Sequence, residues 1–159
     1  MRKILVTYFS AGGITKQVGE RLAGAIGADT FAIVPETPYT EADIFWKNPF
    51  ARCNKEKLGK KDVPIAGKCP DPAAYDLILI GFPIWYGGAP NIIQTFLKQY
   101  DFSGKKIAIF ATSGGSKMGK SAERLKPYLS ESAPIIGEKL FQPDDSADLM
   151  KEWVAGLPD

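Results

Sequence analysis

The sequence predicts a doubly wound α/β protein with about five parallel strands. Three segments are almost uninterrupted apolar runs, which is typical of strands buried on both faces of a parallel sheet. They are residues 3–9 (KILVTYF), 76–82 (DLILIGF) and 106–112 (KIAIFAT). Helical patterns lie between and after these runs, and right-handed crossovers then place helices on both faces of the sheet. A chain of 159 residues predicts a single domain, residues 1–159.

The remaining elements follow from local patterns. The helix predicted over residues 15–26 places Val18, Leu22 and Ile26 four residues apart on one face. Weaker patterns predict strands at 29–35 and within 133–140, and helices at 91–100, 119–129 and 147–154. Residues 36–75 form a long connection rich in Pro, Lys and Gly, with one possible helix over 41–50. This connection is either a functional lid or a plain surface excursion.

The composition is that of an ordinary globular protein, with 45% hydrophobic and 24% charged residues and a net charge of +2. No apolar run approaches the roughly 20 residues of a membrane span. The start of the chain is similar in pattern to a secretion signal, because Arg2 and Lys3 precede an apolar run. That run is short and is interrupted by Thr7, so a first strand explains it better and we expect a cytoplasmic protein.

The chain has no histidine and two cysteines. The absence of histidine excludes Ser-His-Asp and Cys-His catalysis and imidazole metal sites. Cys53 and Cys69 are predicted to be reduced thiols without chemistry, and no metal site is predicted. Any chemistry must therefore come from carboxylates, hydroxyls, backbone dipoles or a bound cofactor.

The first loop, residues 10–15 (SAGGIT), connects the first strand to the first helix. Gly12 and Gly13 allow the backbone to curl with its N–H groups pointing inward, while Ser10 and Thr15 add hydroxyls. Because the positive N-terminus of the helix points the same way, the loop is suited to a phosphate. A glycine turn with Thr15 as an ordinary N-cap explains the same residues. The spacing is not GxGxxG, so no dinucleotide fingerprint is predicted.

Two further loops reach the same edge of the sheet. The second loop, residues 81–90 (GFPIWYGGAP), places Trp85 and Tyr86 there, where they either stack on a flat ring or pack beneath the long connection. The third loop, residues 111–125 (ATSGGSKMGKSAERL), contains a literal phosphate-loop match at 114–121. A nucleotide triphosphatase needs a later apolar strand that ends in Asp, and none follows. We therefore prefer the interpretation that the glycines admit the polar edge of a planar ligand.

Together, the three loops resemble those of the flavodoxin family, in its shorter branch. The family's phosphate loop, usually Ser/Thr-x-Thr-Gly-x-Thr, is similar to YFSAGGIT, and its two flavin loops are similar to GFPIWYGGAP and TSGGSKMG. The resemblance covers nearly the whole chain. It implies a flavodoxin-like three-layer α/β/α sandwich whose five-stranded parallel sheet has the order 2-1-3-4-5, with FMN bound non-covalently.

By this resemblance, the first loop surrounds the FMN phosphate. The second borders the isoalloxazine ring, with Trp85 or Tyr86 stacked on one face, and the third contacts the pyrimidine edge and the ribityl chain. The residues implied, loop by loop, are Ser10, Gly12, Gly13, Ile14 and Thr15; Pro83, Ile84, Trp85, Tyr86 and Gly87; and Thr112, Ser113, Gly114, Gly115 and Met118.

The chain departs from the family's pattern at three points. Gly12 replaces the usual Thr and Ile14 the usual polar residue, and a lost hydroxyl is expected to weaken binding about tenfold or more. The charge of Lys16 is expected to offset this loss. The third loop lacks the aromatic residue that many electron carriers place over the second flavin face, so that face is open or is covered by Trp46 or Phe50.

The resemblance implies electron transfer through FMN, in one of two classes. One is a small carrier of electrons between redox partner proteins, and the other is an FMN-dependent reductase that oxidises NAD(P)H and reduces a quinone-like acceptor.

The family's carriers are strongly acidic, whereas this chain has a basic stretch containing Arg52, Lys55, Lys57, Lys60 and Lys61. That stretch attracts an acidic partner or the phosphates of NAD(P)H, or is simply solvated. A flavin-free interaction domain is a third class, and nucleic-acid binding is not predicted because the patch has no interleaved aromatics.

Overall fold

The computed structural model describes residues 2–44, 47, 51–53, 56, 62–113 and 115–158. The strands within these residues are β1 (Ile4–Tyr8), β2 (Asp29–Ala32), β3 (Val34–Pro35), β4 (Ile65–Ala66), β5 (Leu77–Pro83), β6 (Lys106–Thr112) and β7 (Ile135–Leu140). Five of them form a parallel sheet in the order β2-β1-β5-β6-β7, and β3 pairs antiparallel with β4. Counted within the main sheet alone, the order is 2-1-3-4-5, so the predicted topology is confirmed.

Four α-helices whose bounds the structure describes connect and cover these strands. They are α1 (Ile14–Ile26), α2 (Asn91–Gln99), α3 (Ser121–Leu125) and α4 (Ala147–Ala155). The helix predicted over 119–129 stops at Leu125 and continues as a 3-10 turn over Lys126–Tyr128. The cause is Pro127, which has no backbone N–H with which to continue an α-helix.

Both faces of the main sheet are buried, as the apolar runs predicted. On one face Ile78 belongs to the same apolar cluster as Ile93 of α2. On the other face Leu79 belongs to a second cluster with Val18 of α1 and Met150 of α4. All five side chains are fully buried or nearly so. Because neighbouring strand residues point to opposite faces, one continuous apolar run supplies both cores. The result is the three-layer α/β/α sandwich.

The first half of the chain differs from the prediction in two places. The strand predicted over 29–35 is divided, since β2 ends at Ala32 and β3 leaves the main sheet to pair with β4. The helix predicted over 41–50 is a turn over residues 41–44, and its remaining residues, Lys47 apart, lie outside the described residues. No helix described here is long and apolar enough to cross a membrane.

Candidate functional site

The three loops leave the sheet at one edge. Tyr8, the last residue of β1, is in register with Gly81 of β5, and Pro83 at the end of β5 is in register with Thr112 of β6. The strands are parallel, so their carboxyl ends and the loops that follow them lie side by side. This edge is where open α/β sheets bind their ligands.

A cavity of about 620 Å³ is lined by residues of the second and third loops and of the long connection. Its lining residues are Ile44, Cys53, Ile84, Trp85, Tyr86, Gly87, Ser113, Gly115 and Ser116. The volume lies within the range of about 300–1,000 Å³ that small-molecule sites occupy. Six of these residues were predicted from the sequence. Ile44, Cys53 and Ser116 were not, although Ser116 lies inside the TSGGSKMG motif.

The first loop forms the start of α1. The Gly13 amide donates a hydrogen bond to Ser10 Oγ at 3.0 Å, and Gly13 is the N-cap residue with φ of 94°. This left-handed conformation is one that glycine adopts without strain. The interpretation of Thr15 as the N-cap is therefore wrong. Since no side chain caps the helix, the amides of its first turn are available to an anion.

Thr15 connects the first loop to the third. Its Oγ1 lies 2.7 Å from Oγ1 of Thr112, the last residue of β6. The two residues are only 2% and 4% exposed. One hydroxyl donates to the other, so one of the two hydroxyl hydrogens is left for another acceptor. The pair fixes the start of α1 against the strand that leads into the cavity.

Trp85 and Tyr86 both line the cavity but have different surroundings. Trp85 is half-buried and makes edge-to-face contacts with Phe9 and Tyr39, whose ring centroids lie 5.4 and 5.3 Å from that of Trp85. Tyr86 is 38% exposed, and its hydroxyl donates to Cys53 Sγ at 3.3 Å. Burial, together with this hydrogen bond, raises the pKa of Tyr86. Trp85 thus packs beneath the long connection, as one of the two predicted alternatives held, and lines the cavity as well.

The centre of the second loop is a tight two-residue turn. Trp85 and Gly88 exchange two backbone hydrogen bonds, of 2.9 and 3.2 Å. The central residues Tyr86 and Gly87 have φ of 54° and 76°. Positive φ at both central positions is the pattern of a type I′ turn. Such a turn favours Gly, Asn or Asp at these positions and disfavours a bulky residue such as tyrosine. Among the residues that the structure describes, Tyr86 is the one non-glycine residue with positive φ. Surrounding contacts must therefore hold the turn in this conformation.

The long connection is attached to the start of α2 by a polar cluster. Tyr39 donates to Glu56 at 2.5 Å, and Arg52 lies 3.4 Å from the other Glu56 oxygen and over the Tyr39 ring. Burial and the Glu56 contact raise the pKa of Tyr39. Asn91 of α2 donates to the Glu56 carbonyl at 2.8 Å. Arg52, predicted to belong to a basic patch, is thus held by contacts within the chain.

Several residues predicted for the site do not line the cavity. Gly12 and Ile14 are exposed at the start of α1, with Ile14 49% exposed, and Pro83 ends β5. Met118 of the third loop packs against the core. Outside the described residues lie Gly114, Trp46, Phe50, Lys55, Lys57, Lys60 and Lys61.

The fold and the site together define a doubly wound α/β protein that holds its ligand between loops at the carboxyl edge of the sheet. Within this class, the comparisons with known proteins point to one family. The flavodoxin family model matches residues 3–157. The chain belongs to the flavodoxin family.

Solved structures support this assignment over nearly the full length. A candidate flavoprotein from Bacteroides eggerthii is 38% identical with a TM-score of 0.88, covering 98% of this chain and 97% of that one. A second, from Bacteroides uniformis, is 34% identical with a TM-score of 0.86, covering 97% and 98%. A flavoprotein from Lactobacillus acidophilus, solved in complex with FMN, is 26% identical with a TM-score of 0.73, covering 97% and 99%.

Proposed function

We propose that this protein binds FMN non-covalently and transfers electrons through it. The observation that carries the proposal is the cavity of about 620 Å³ between the second and third loops, whose lining includes Trp85 and Tyr86. Family membership and the FMN complex of the Lactobacillus acidophilus flavoprotein support the choice of ligand. When bound, FMN supplies the redox chemistry, and the protein binds, orients and tunes it.

The start of α1 fits the phosphate end of such a ligand. Its first-turn amides have no side-chain cap, and an ideal Cβ built on Gly12 or Gly13 meets nothing within 4 Å, so a ligand can approach the backbone. Ser10 accepts from Gly13 and keeps its own hydroxyl hydrogen for a phosphate oxygen. These donors, with the helix dipole, favour a dianion without a metal.

The cavity fits the ring end. Ile44, Ile84 and Trp85 supply apolar surface, and Ser113 and Ser116 supply hydroxyls on the third loop. Trp85 is held in place by Phe9 and Tyr39, so a planar ligand meets a ring that is already oriented. Preorganisation of this kind lowers the entropy cost of binding.

Calorimetric titration tests the proposal. We expect FMN to bind the apoprotein with a stoichiometry of one and more tightly than riboflavin, which lacks the phosphate. Ser10→Ala should weaken FMN binding about tenfold or more and leave riboflavin binding nearly unchanged, because a hydrogen bond to a charged group contributes about 1.5–3 kcal/mol. Ser116→Ala is the matched control, since Ser116 lines the cavity and should affect both ligands alike. An absence of heat with FMN would overturn the proposal.

The electron donor and acceptor distinguish two forms of this function. As a carrier, the protein exchanges single electrons with redox partner proteins. As a reductase, it oxidises one NAD(P)H and, with one proton, reduces one quinone to a hydroquinone. Steady NAD(P)H oxidation that depends on both FMN and a quinone supports the reductase, and its absence supports the carrier.

A further inference from the structure

A second cavity, of about 350 Å³, lies beside the first loop and beyond the end of β2. Its walls come from the end of β1, the first turns of α1 and the start of the long connection. Among the described residues, none lines both this cavity and the first cavity, of about 620 Å³. The ring contact between Tyr39 and Trp85 connects them, because Tyr39 lines the second cavity and Trp85 the first. The volume is again that of a small-molecule site.

The side of the second cavity that the long connection supplies is apolar. Pro35, Pro38 and Tyr39 line it there. The Tyr39 ring is held by edge-to-face contacts with Phe9 and Trp85, whose ring centroids lie 5.7 and 5.3 Å from its own. A planar ligand therefore meets rings that are already oriented, which lowers the entropy cost of binding.

The side of the second cavity that α1 supplies carries charged groups. Lys16 and Glu20 lie about one helical turn apart and both line the cavity. Their spacing allows an ion pair, but none joins them in the part of the chain that the structure describes. Glu20 lies beside Tyr8 instead, and burial together with the Glu20 carboxylate raises the pKa of the Tyr8 hydroxyl. The cavity thus has a cation near the first loop and an acceptor one turn further along α1.

A glycine within α1 gives the Tyr8 ring its place. An ideal Cβ on Gly19 would lie 2.8 Å from Cδ2 of Tyr8, so a larger residue would push this ring away from the helix. Glycine weakens the interior of a helix. Its presence at this position allows Tyr8 to pack against α1 at the acidic end of the cavity, next to Glu20.

The first loop connects the second cavity to the phosphate end proposed above. Ser10 and Ala11 line the cavity, and Gly12 and Gly13 follow them directly. An ideal Cβ on either glycine meets nothing within 4 Å, and Gly12 is exposed, so the loop is open on this side. A phosphate at the first turn of α1 therefore has room to continue into a second phosphate on the side of Lys16.

We propose that the second cavity binds the adenosine part of a dinucleotide, with the base against Tyr39, its exocyclic amine donating to Glu20 and a phosphate beside Lys16. This inference rests on the proposed function, because FAD and NAD(P)H, the dinucleotides of flavin redox chemistry, both end in adenosine. The amine and the phosphate lie at opposite ends of adenosine phosphate, as the acceptor and the cation do in the cavity. The site uses side chains of α1 and the long connection and no GxGxxG turn, so it lacks the usual sequence fingerprint.

Calorimetric titration of the apoprotein with ADP tests the inference. We expect saturable binding with a stoichiometry of one. Purine riboside 5′-diphosphate, which differs from ADP only in lacking the exocyclic amine, should bind about tenfold more weakly because a hydrogen bond to a charged group is lost. Equal affinities for the two nucleotides, or no saturable binding of ADP, would overturn the inference. Both measurements use the wild type and do not depend on the folding of any variant.

Glu20→Ala adds a test of the acceptor. It should weaken ADP binding about tenfold and leave binding of the purine riboside analogue unchanged. A merely electrostatic effect has the opposite sign, because loss of a negative charge strengthens the binding of an anion. Glu152→Ala is the matched control, since Glu152 is an exposed carboxylate of α4 that does not line the cavity, and it should weaken neither nucleotide. Undiminished ADP binding by folded Glu20→Ala would contradict the proposal.

Competition with FMN distinguishes the two sources of adenosine. If the cavity serves FAD, FMN takes the phosphate position of ADP and displaces it, and FAD binds the apoprotein more tightly than FMN does. If the cavity serves NAD(P)H, ADP binds the FMN-loaded protein as well and competes there with NADPH. Either result supports the inference. A protein that binds FMN but not ADP overturns this inference alone, whereas one that binds neither overturns the proposed function as well.

Discussion

The hydroxyl pair of Thr15 and Thr112 permits a quantitative test of how the start of α1 is joined to the sheet. Thr15→Val keeps the shape of the side chain and removes one hydroxyl of the 2.7 Å contact. The Thr112 hydroxyl is then left in a site where this residue is only 4% exposed. Leaving a buried polar group without its partner costs about 1–3 kcal/mol, so we expect the free energy of unfolding to fall by about 2 kcal/mol.

The double variant makes the test specific. Thr112→Val alone should cost about as much, for the same reason. Thr15→Val combined with Thr112→Val removes both polar groups, so its cost should be at least about 1 kcal/mol less than the sum of the single costs. Urea denaturation of the three apoproteins, followed by circular dichroism, measures each value. For a chain of this size, each single change should lower Tm by about 4–8 °C.

Additive costs, within about 0.5 kcal/mol, would show that the two hydroxyls do not interact and would refute the reasoning. A second measurement concerns the ligand. Because one hydroxyl hydrogen of the pair remains for another acceptor, Thr15→Val should also weaken FMN binding much more than riboflavin binding. Equal losses for the two ligands would contradict a role for Thr15 at the phosphate.

Three further predictions concern the cavity and the core. Gly87→Ala should lower the free energy of unfolding by about 1 kcal/mol, because Gly87 has φ of 76° and space for a methyl group, so that backbone strain is the sole cost. Urea denaturation beside the wild type measures this, and an unchanged stability would contradict the positive φ. Trp85→Ala should cost about 2–3 kcal/mol through lost contacts such as that with Phe9, and should shift the flavin potential. An unchanged potential, with Tyr86→Ala equally silent, would count against stacking by either ring. Burial raises the pKa of Cys69 to about 12 from its ordinary value near 9. The unfolded chain therefore releases this proton first, so the contribution of Cys69 to stability is complete below about pH 9 and is lost as the pH rises toward 12, by up to about 1.4 kcal/mol per pH unit. Denaturation at a series of alkaline pH values should give a steeper decline for the wild type than for Cys69→Ala, and parallel curves would exclude this linkage.

The strands and loops that build the site were predictable because their signals are local. Strands β1, β5 and β6 were read from apolar runs, and each ends within one residue of its predicted boundary. The ends of parallel strands meet at one edge, so the loops after them could be placed together without any knowledge of side-chain contacts. The same reasoning selected Trp85 and Tyr86 as cavity residues.

The predictions that failed or were incomplete depend on contacts between distant parts of the chain. Thr15 was considered as a helix cap, but its partner is 97 residues away. Ile44 and Cys53 reach the cavity from a connection that has no regular hydrophobic period. Arg124 looks like an ordinary surface residue of a short helix, and its contact with the Tyr86 carbonyl spans 38 residues.

The sequence by itself determined the parallel sheet, its two buried faces and the edge at which the loops gather, because apolar runs and helical spacing are properties of neighbouring residues. Tertiary structure alone decided which side chains meet at that edge. It packed Trp85 against Tyr39, paired Thr15 with Thr112 and placed Arg124 behind the second loop. The physical reason is that hydrogen bonds and ring contacts are short-ranged in space and have no fixed spacing along the chain.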